Sequence, residues 1–305
     1  MLALGARSVK YVFRPRPAIR VVSESPVAEP LVSIIIATYN WSSVLRLAIH
    51  SVLWQTEQDF EVLVIGDGCT DDSEAVVRSF GDARVHWHNL PRNFGHQTAP
   101  NNEGLRVARG RYIAYLGHDD IWHPDHLQTL VRAMVRSHAD FASSLVQMIG
   151  PEGSNYREVA GIYPDGGYTG AKGLPVSGVL HRRDVVSRIG DWKDYRTVWR
   201  NPDVDFEVRA VEAGMRFVST GELTVFKFNS SIRKNCYRGK PFHEQLACIR
   251  RIENRRTASL EESIKTSWVH LRRLPLRTEM VVPPPPHPHT PGWHIPFYRK
   301  FRGLE

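Results

Sequence analysis

Asp119 and Asp120 end the stretch RYIAYLGHDD, which begins at Arg111. Two adjacent carboxylates at the end of an apolar run need water, cations or a metal. Three further polar sets stand in comparable places. Thr38 and Tyr39 close the run LVSIIIATY, and Asn40 follows it. Asp67 lies in GDGCTDD, after FEVLVIG. Asp203 and Asp205 lie in NPDVDF, at the start of an amphipathic segment. An Asp after the second run can accept hydrogen bonds from a base or ribose. The pair after RYIAYL can hold a divalent cation against a diphosphate, through oxygen ligands and retained waters. A carboxylate arriving from the second half of the chain can act as a general base. Together these imply transfer of a group attached to a diphosphate.

The elements that position these residues alternate. Leu31–Tyr39, Phe60–Gly66, RVHWHN and RYIAYL read as strands. NWSSVLRLAIHSVLWQ, AVVRSF, HQTAPNNEGLRVARG and PDHLQTLVRAMVRS read as helices between and after them. Asn40 or Ser42 is available to cap the first helix, and Asp71 and Glu74 have capping-box spacing before the second. Pro100 limits the third helix, and Pro124 sits near the first turn of the fourth. This alternation predicts an α/β domain with a mostly parallel sheet and helices on both faces. Ligands on such sheets lie beyond the carboxyl ends of the strands. A dinucleotide fold needs a glycine-rich turn after its first strand, and ATYNWSS has no glycine. The second half is expected to add the strand FASSLVQMIG, a Gly- and Tyr-rich loop, the strand and helix of LPVSGVLHRRDVVSRIG, a helix from VDFEVRAVEAGM and the last strands from MRFVSTGELTVFKF. Asn235 to Thr278 reads as interrupted helix, and VVPPPPHPHTPGW as extended chain.

Composition sets wider limits. The 305 residues are 42% hydrophobic, with 8 Trp, 12 Phe and 10 Tyr, which supports a packed core rather than disorder. No apolar run approaches the ~20 residues of a membrane span, and no secretory signal is read. Cys69, Cys236 and Cys248 share no close spacing, so neither a disulfide framework nor a zinc site is expected, which fits a reducing, cytoplasmic setting. His118, His123 and His126 lack the Cys or second His motif of a zinc enzyme. Residues 233–305 carry 15 Lys/Arg against 6 Asp/Glu, whereas residues 1–232 carry 25 against 26. The first 20 residues carry five basic groups and no acid, so both ends are basic, around a near-neutral body. The expected division is a basic extension over 1–29, a domain over 30–232 with a nucleotide-binding half over 30–130 and an acceptor half over 131–232, and a basic extension over 233–305. Trp293, Phe297, Tyr298 and Phe301 interleave with Arg299, Lys300 and Arg302. This stretch suits an anionic membrane surface, packing on the domain or packing on a second subunit. Nucleic acid is not expected, because no recognition motif accompanies the charge. Oligomerisation is left open.

The text VSIIIATYN, FEVLVIGDGCTDD, RNFGHQTAPNNEGLRVARGRYIAYLGHDDIWHPDHL, SGVLHRRDVVSRIGDW and NPDVDFEVRAVEAG resembles family 2 glycosyltransferases of the GT-A fold, over roughly residues 30–230. The resemblance implies a nucleoside-diphosphate-sugar donor, UDP-linked by preference, a glycan or lipid-linked acceptor, and inversion. Thr38 and Asp67 would then contact the base, with Tyr39 and Asn40 beside them. Asp119 would sit near ribose and diphosphate, and Asp120 would bind Mg²⁺ or Mn²⁺. Asp203 matches the catalytic base, with Asp205 as the alternative. Gly66, Gly117 and Pro202 stand where many members carry acids. The competing reading is an inactive homologue that binds a nucleotide sugar or glycan.

Overall fold

A computed structural model describes residues 29–154, 156–163, 167–170, 173–254 and 291–304. The basic N-terminal stretch to residue 28, the helical expectation beyond residue 254 and most of the proline-rich stretch lie outside the described residues.

The strands are β1 (Val32–Thr38), β2 (Phe60–Gly66), β3 (Val85–Asn89), β4 (Tyr112–Tyr115), β5 (Ile121–Trp122), β6 (Phe141–Ile149), β7 (Arg157–Ala160), β8 (Val179–Arg182) and β9 (Phe217–Phe228). The helices are α1 (Ser42–Leu53), α2 (Ser73–Arg78), α3 (Thr98–Val107), α4 (His126–Ser137), α5 (Val185–Ile189), α6 (Pro202–Glu212), α7 (Cys236–Gly239), α8 (His243–Asn254) and α9 (His294–Arg302). One sheet runs β3-β2-β1-β4-β8-β6-β9-β5, with β7 paired to β6. The β3-β2-β1-β4 half is parallel. Beyond it β8 is antiparallel to β4 and β6, β6 and β9 run parallel, and β5 is antiparallel to β9.

Strand alternation sorts the core onto two faces. Ile34, Ile36, Val62 and Val64 pack with Leu45 and Ile49 of α1 and Leu130 of α4. Ile35, Leu63 and Ile65 pack on the other side with Phe206 and Ala210 of α6. Each such buried side chain contributes about 1.5–3 kcal/mol. The consecutive isoleucines of β1 can all be buried because helices cover both faces.

Several local devices differ from the sequence reading. Neither Asn40 nor Ser42 caps α1 with its side chain. Asp71 serves instead: its Oδ2 accepts from Ser42 N at 3.2 Å, and its Oδ1 from Ser73 N at 3.1 Å. One carboxylate thus satisfies orphan donors at the starts of two helices. The Asp71–Glu74 capping box does not form, because Glu74 pairs with Arg78 at 2.7 Å. Strand β5 is too short for periodicity to reveal. Strand β7 falls inside the stretch read as a loop, and β9 is one strand of 12 residues with register shifts in its pairing to β6.

Candidate functional site

Parallel pairing brings Thr38 of β1 level with Gly66 of β2. Asp67 N donates to Thr38 O at 2.8 Å, and Thr38 Oγ1 lies 2.8 Å from His118 Nδ1. The ends of β1, β2 and β4 therefore meet at one rim. A cavity of about 390 Å³ opens there, with Thr38, Tyr39, Asp67, His118, Asp119, Asp203 and Lys227 among the residues on its wall.

Asp67 is nearly buried and holds the loop that faces it. Its oxygens accept from Phe94 N at 2.8 Å, Gly95 N at 3.0 Å and Asn93 Nδ2 at 2.9 Å. Desolvation still leaves its pKa above the ordinary carboxylate value, against the pull of those amides and of Arg299. Gly68 lets this loop pass close. Its φ is +71°, and a Cβ there would lie 2.3 Å from the backbone carbon of Arg92. Asn40 adopts φ 44°, and its side chain binds Thr70 N at 2.7 Å, so it braces the loop after β2 away from the cavity wall.

The two acids of the GHDD stretch separate. Asp119 faces the cavity, with burial raising its pKa. Asp120 has no exposed surface. Its Oδ2 accepts from Lys227 Nζ at 2.8 Å and Ser177 Oγ at 2.6 Å, and its Oδ1 from Phe228 N at 3.1 Å. The antiparallel register Ile121↔Phe226 brings these groups together, since the next pair outward is Asp120 and Lys227. Burial works against the Lys227 ammonium, but Asp120 and Asp119 outweigh it and hold its pKa above the usual lysine value. His118 is clamped between Thr38 and Tyr237 Oη, the latter at 3.0 Å. Burial lowers its pKa to about 4, so it is a neutral spacer near pH 7.

Asp203 lies in the first turn of α6 and reaches the cavity. Desolvation raises its pKa, which Lys227 and the Val204 amide only partly offset. Asp205 pairs with Arg209 one turn on, at 2.8 Å, away from the cavity wall. Glu207, which the sequence reading did not single out, is buried behind Asp203. It accepts from Tyr168 Oη and from Leu174 N. Its i, i+4 spacing from Asp203 was the available signal, but an acid on an amphipathic helix normally faces water.

The glycines in place of family acids have steric reasons. A Cβ on Gly66 would lie 2.5 Å from Asn89 Oδ1 and 2.7 Å from the Trp87 ring. One on Gly117 would lie 2.7 Å from the clamped Asp120 Oδ2. The space a side chain would need at these positions is already filled by neighbours.

The comparisons define first a class. The architecture is similar to S. aureus TarS 1-349 in complex with UDP-GlcNAc, with a TM-score of 0.55 and 18% identity over 78% of this chain and 72% of that one. It is also similar to the mannosyltransferase PcManGT of Pyrobaculum calidifontis in complex with GDP-Man and Mn²⁺, with a TM-score of 0.53 and 15% identity over 84% of this chain and 79% of that one. The fold is GT-A-like, with a helical C-terminal extension. Residues 33–184 match the profile of Glycosyl transferase family 2, and the chain carries a domain of that family. Among curated relatives, an uncharacterised glycosyltransferase of Rickettsia prowazekii is 36% identical over 33% of this chain and 31% of its own length. A glucosyltransferase of Escherichia coli, described as UDP-Glc:alpha-D-GlcNAc-diphosphoundecaprenol beta-1,3-glucosyltransferase, is 35% identical over 36% of this chain and 44% of its own length. A putative teichuronic acid biosynthesis glycosyltransferase of Bacillus subtilis is 30% identical over 41% and 50%. The matches span half or less of each of these relatives. No helix among the described residues is long and apolar enough to cross a membrane.

Proposed function

We propose that this chain transfers a glycosyl group from a nucleoside-diphosphate sugar, UDP-linked by preference, to a hydroxyl of a glycan or lipid-linked acceptor, with inversion. The observation that carries the reading is the convergence of Asp67, Asp119, Asp203 and Lys227 on one cavity at the carboxyl ends of β1, β2 and β4. The UDP-Glc named for the Escherichia coli relative and the UDP-GlcNAc of TarS support a UDP donor. The GDP-Man bound by PcManGT keeps a guanine donor in the test.

Asp67 organises the loop at residues 93–95 beside the nucleotide, with Thr38 and Tyr39 on the adjoining wall. Asp203 receives the acceptor hydroxyl proton as that oxygen attacks, and its raised pKa suits it to that transfer. Asp205 is spoken for by Arg209 and is not the base. A divalent cation fits one carboxylate of the pair and not the other. Asp120 has its oxygens engaged by Lys227, Ser177 and Phe228 N, so Asp119 takes the role that the resemblance gives Asp120. One carboxylate is enough where diphosphate oxygens and waters supply the rest, and no cluster of three or more His, Cys, Asp or Glu exists among the described residues. Bound there, Mg²⁺ or Mn²⁺ would offset charge on the leaving diphosphate. Lys227 fixes Asp120 and lends positive charge to the same wall.

The test is a thermal-shift panel of UDP-, GDP- and dTDP-sugars, followed by turnover of those that bind. Stabilisation by one nucleotide class with transfer or slow hydrolysis is the expected outcome. Binding without any turnover would favour the inactive homologue. No shift with any donor, with or without Mn²⁺, would overturn the reading.

A further inference from the structure

The cavity is roofed by a helix from far outside the family domain. Gly292 N donates to Val198 O at 3.1 Å, and Asn235 N to Phe301 O at 2.9 Å, which seats α9 against the residues just before α6 and the start of α7. Of the three uses open to the aromatic-basic stretch FYRKF, packing on the domain is the one seen. Ile295, Tyr298, Arg299 and Arg302 of α9 reach the cavity wall. Their spacing of three, one and three residues puts them along one helix face, while Lys300 is exposed. The helix covers the cavity without filling it, so it reads as a wall of the site rather than a plug.

The charges around this wall are unequal in their commitments. Asp67 is held by the loop at residues 93–95. Lys227 is committed to Asp120. Arg299 donates to Gly95 O at 2.9 Å and to Asn93 Oδ1 at 3.2 Å, so it braces that same loop from the other side. His96 adds no charge: its pKa falls to about 3 through desolvation and the nearby Arg302. Arg302 donates Nε to Tyr298 O at 3.0 Å, and its guanidinium lies 5.9 Å from the centre of the Tyr237 ring. Among the described residues no carboxylate lies within ion-pair distance of it. Its field reaches His118 and Asp119 across the cavity.

We infer that Arg302 is a donor-binding residue: its guanidinium takes the diphosphate of the nucleotide, and α9 thereby adds to that subsite a contact from outside residues 33–184. The inference rests on the proposed use of a nucleoside-diphosphate donor. A planar guanidinium matches phosphate oxygens in pairs, and partial enclosure strengthens that contact. Arg299 positions the residue 93–95 loop against the nucleoside. The charge of Arg302 therefore bears on the diphosphate and not on the base.

Calorimetry of the full-length chain with UDP, GDP and dTDP, and with the matching nucleosides, tests this in the presence of Mg²⁺. The wild type should bind at least one diphosphate. Arg302→Ala should weaken that diphosphate about 10- to 100-fold, the worth of one charge-assisted hydrogen bond. Nucleoside binding should change less than about twofold. Arg302→Lys, which keeps the charge but loses the fork, should fall between. Lys300→Ala, which removes the same charge from the exposed face, should leave both affinities as they are. Unchanged diphosphate affinity in Arg302→Ala overturns the inference and leaves the proposed function standing. So does equal loss of nucleoside and diphosphate in both Arg302 variants, which would mark a purely structural helix. A wild type that binds none of the three diphosphates overturns both.

Discussion

Lys227 Nζ lies 2.8 Å from Asp120 Oδ2, a carboxylate with no exposed surface. Lys227 reaches the cavity wall and Asp120 does not. Losing one member of such a pair leaves the other buried and uncompensated. Lys227→Met should cost about 3–5 kcal/mol in urea unfolding. Adding Asp120→Asn should recover much of that loss, because the stranded charge is gone. The raised Lys227 pKa gives the sign with pH. The folded state holds this proton more tightly, so the contribution is complete below the unfolded lysine pKa and is lost as pH rises through the folded value. The Lys227→Met variant should lack that alkaline loss.

Asp203→Asn should lower turnover by about 10²–10⁴-fold while donor binding stays near wild type. Desolvation places the Asp203 pKa above the ordinary carboxylate value. The base works deprotonated, so the acidic limb of the pH–rate profile should fall at a pH higher than an exposed Asp would give. Asp205→Asn should retain turnover. An equal loss in the two variants would return the base assignment to an open state.

Much of the positioning was legible in the sequence, and the reason is local. Strands β1, β2, β4 and β6 are apolar runs with turn residues after them, and each falls within two residues of its expected bounds. The acids after β2 and β4 mark the rim because parallel strands share a carboxyl edge. Asp203 could be placed by its helix start. The partition of Asp119 from Asp120 could not, since it depends on β5, two residues long, pairing with β9 about a hundred positions later. The same holds for Arg302, whose part depends on how α9 folds back over Tyr237. Gly66 and Gly117 show a third limit: sequence spacing reports a missing carboxylate, but not the neighbour that already fills its volume.

Restoring the family acids should therefore harm this chain. Gly117→Asp and Gly66→Asp each force a Cβ into contacts of 2.7 Å or less. Overpacking of this kind costs about 1–3 kcal/mol. Differential scanning calorimetry should show lower midpoints for both. A midpoint equal to wild type in either would mean that its neighbour gives way freely. Gly68→Ala should be worse, since the added Cβ meets backbone and the φ of +71° is strained for any L side chain.

Glu207 offers the last test, on stability alone. It is buried at 3% exposure, accepts from Tyr168 Oη and Leu174 N, and has its pKa raised well above the ordinary glutamate value. Desolvation is the largest cause, with the nearby Asp203 adding to it. A raised carboxyl pKa means that the folded state binds the proton more tightly than the unfolded chain. Stability then falls as pH rises from the unfolded glutamate pKa to the folded one. Glu207→Gln keeps the shape and an acceptor oxygen but cannot ionise, so it should flatten that fall and be at least as stable as wild type near pH 7. The measurement is urea unfolding from pH 4 to pH 8 on both proteins. Parallel curves would show that Glu207 does not titrate differently on folding. A steeper fall in the variant would reverse the sign and place the ionised carboxylate among the groups that hold Tyr168 and Leu174 in place.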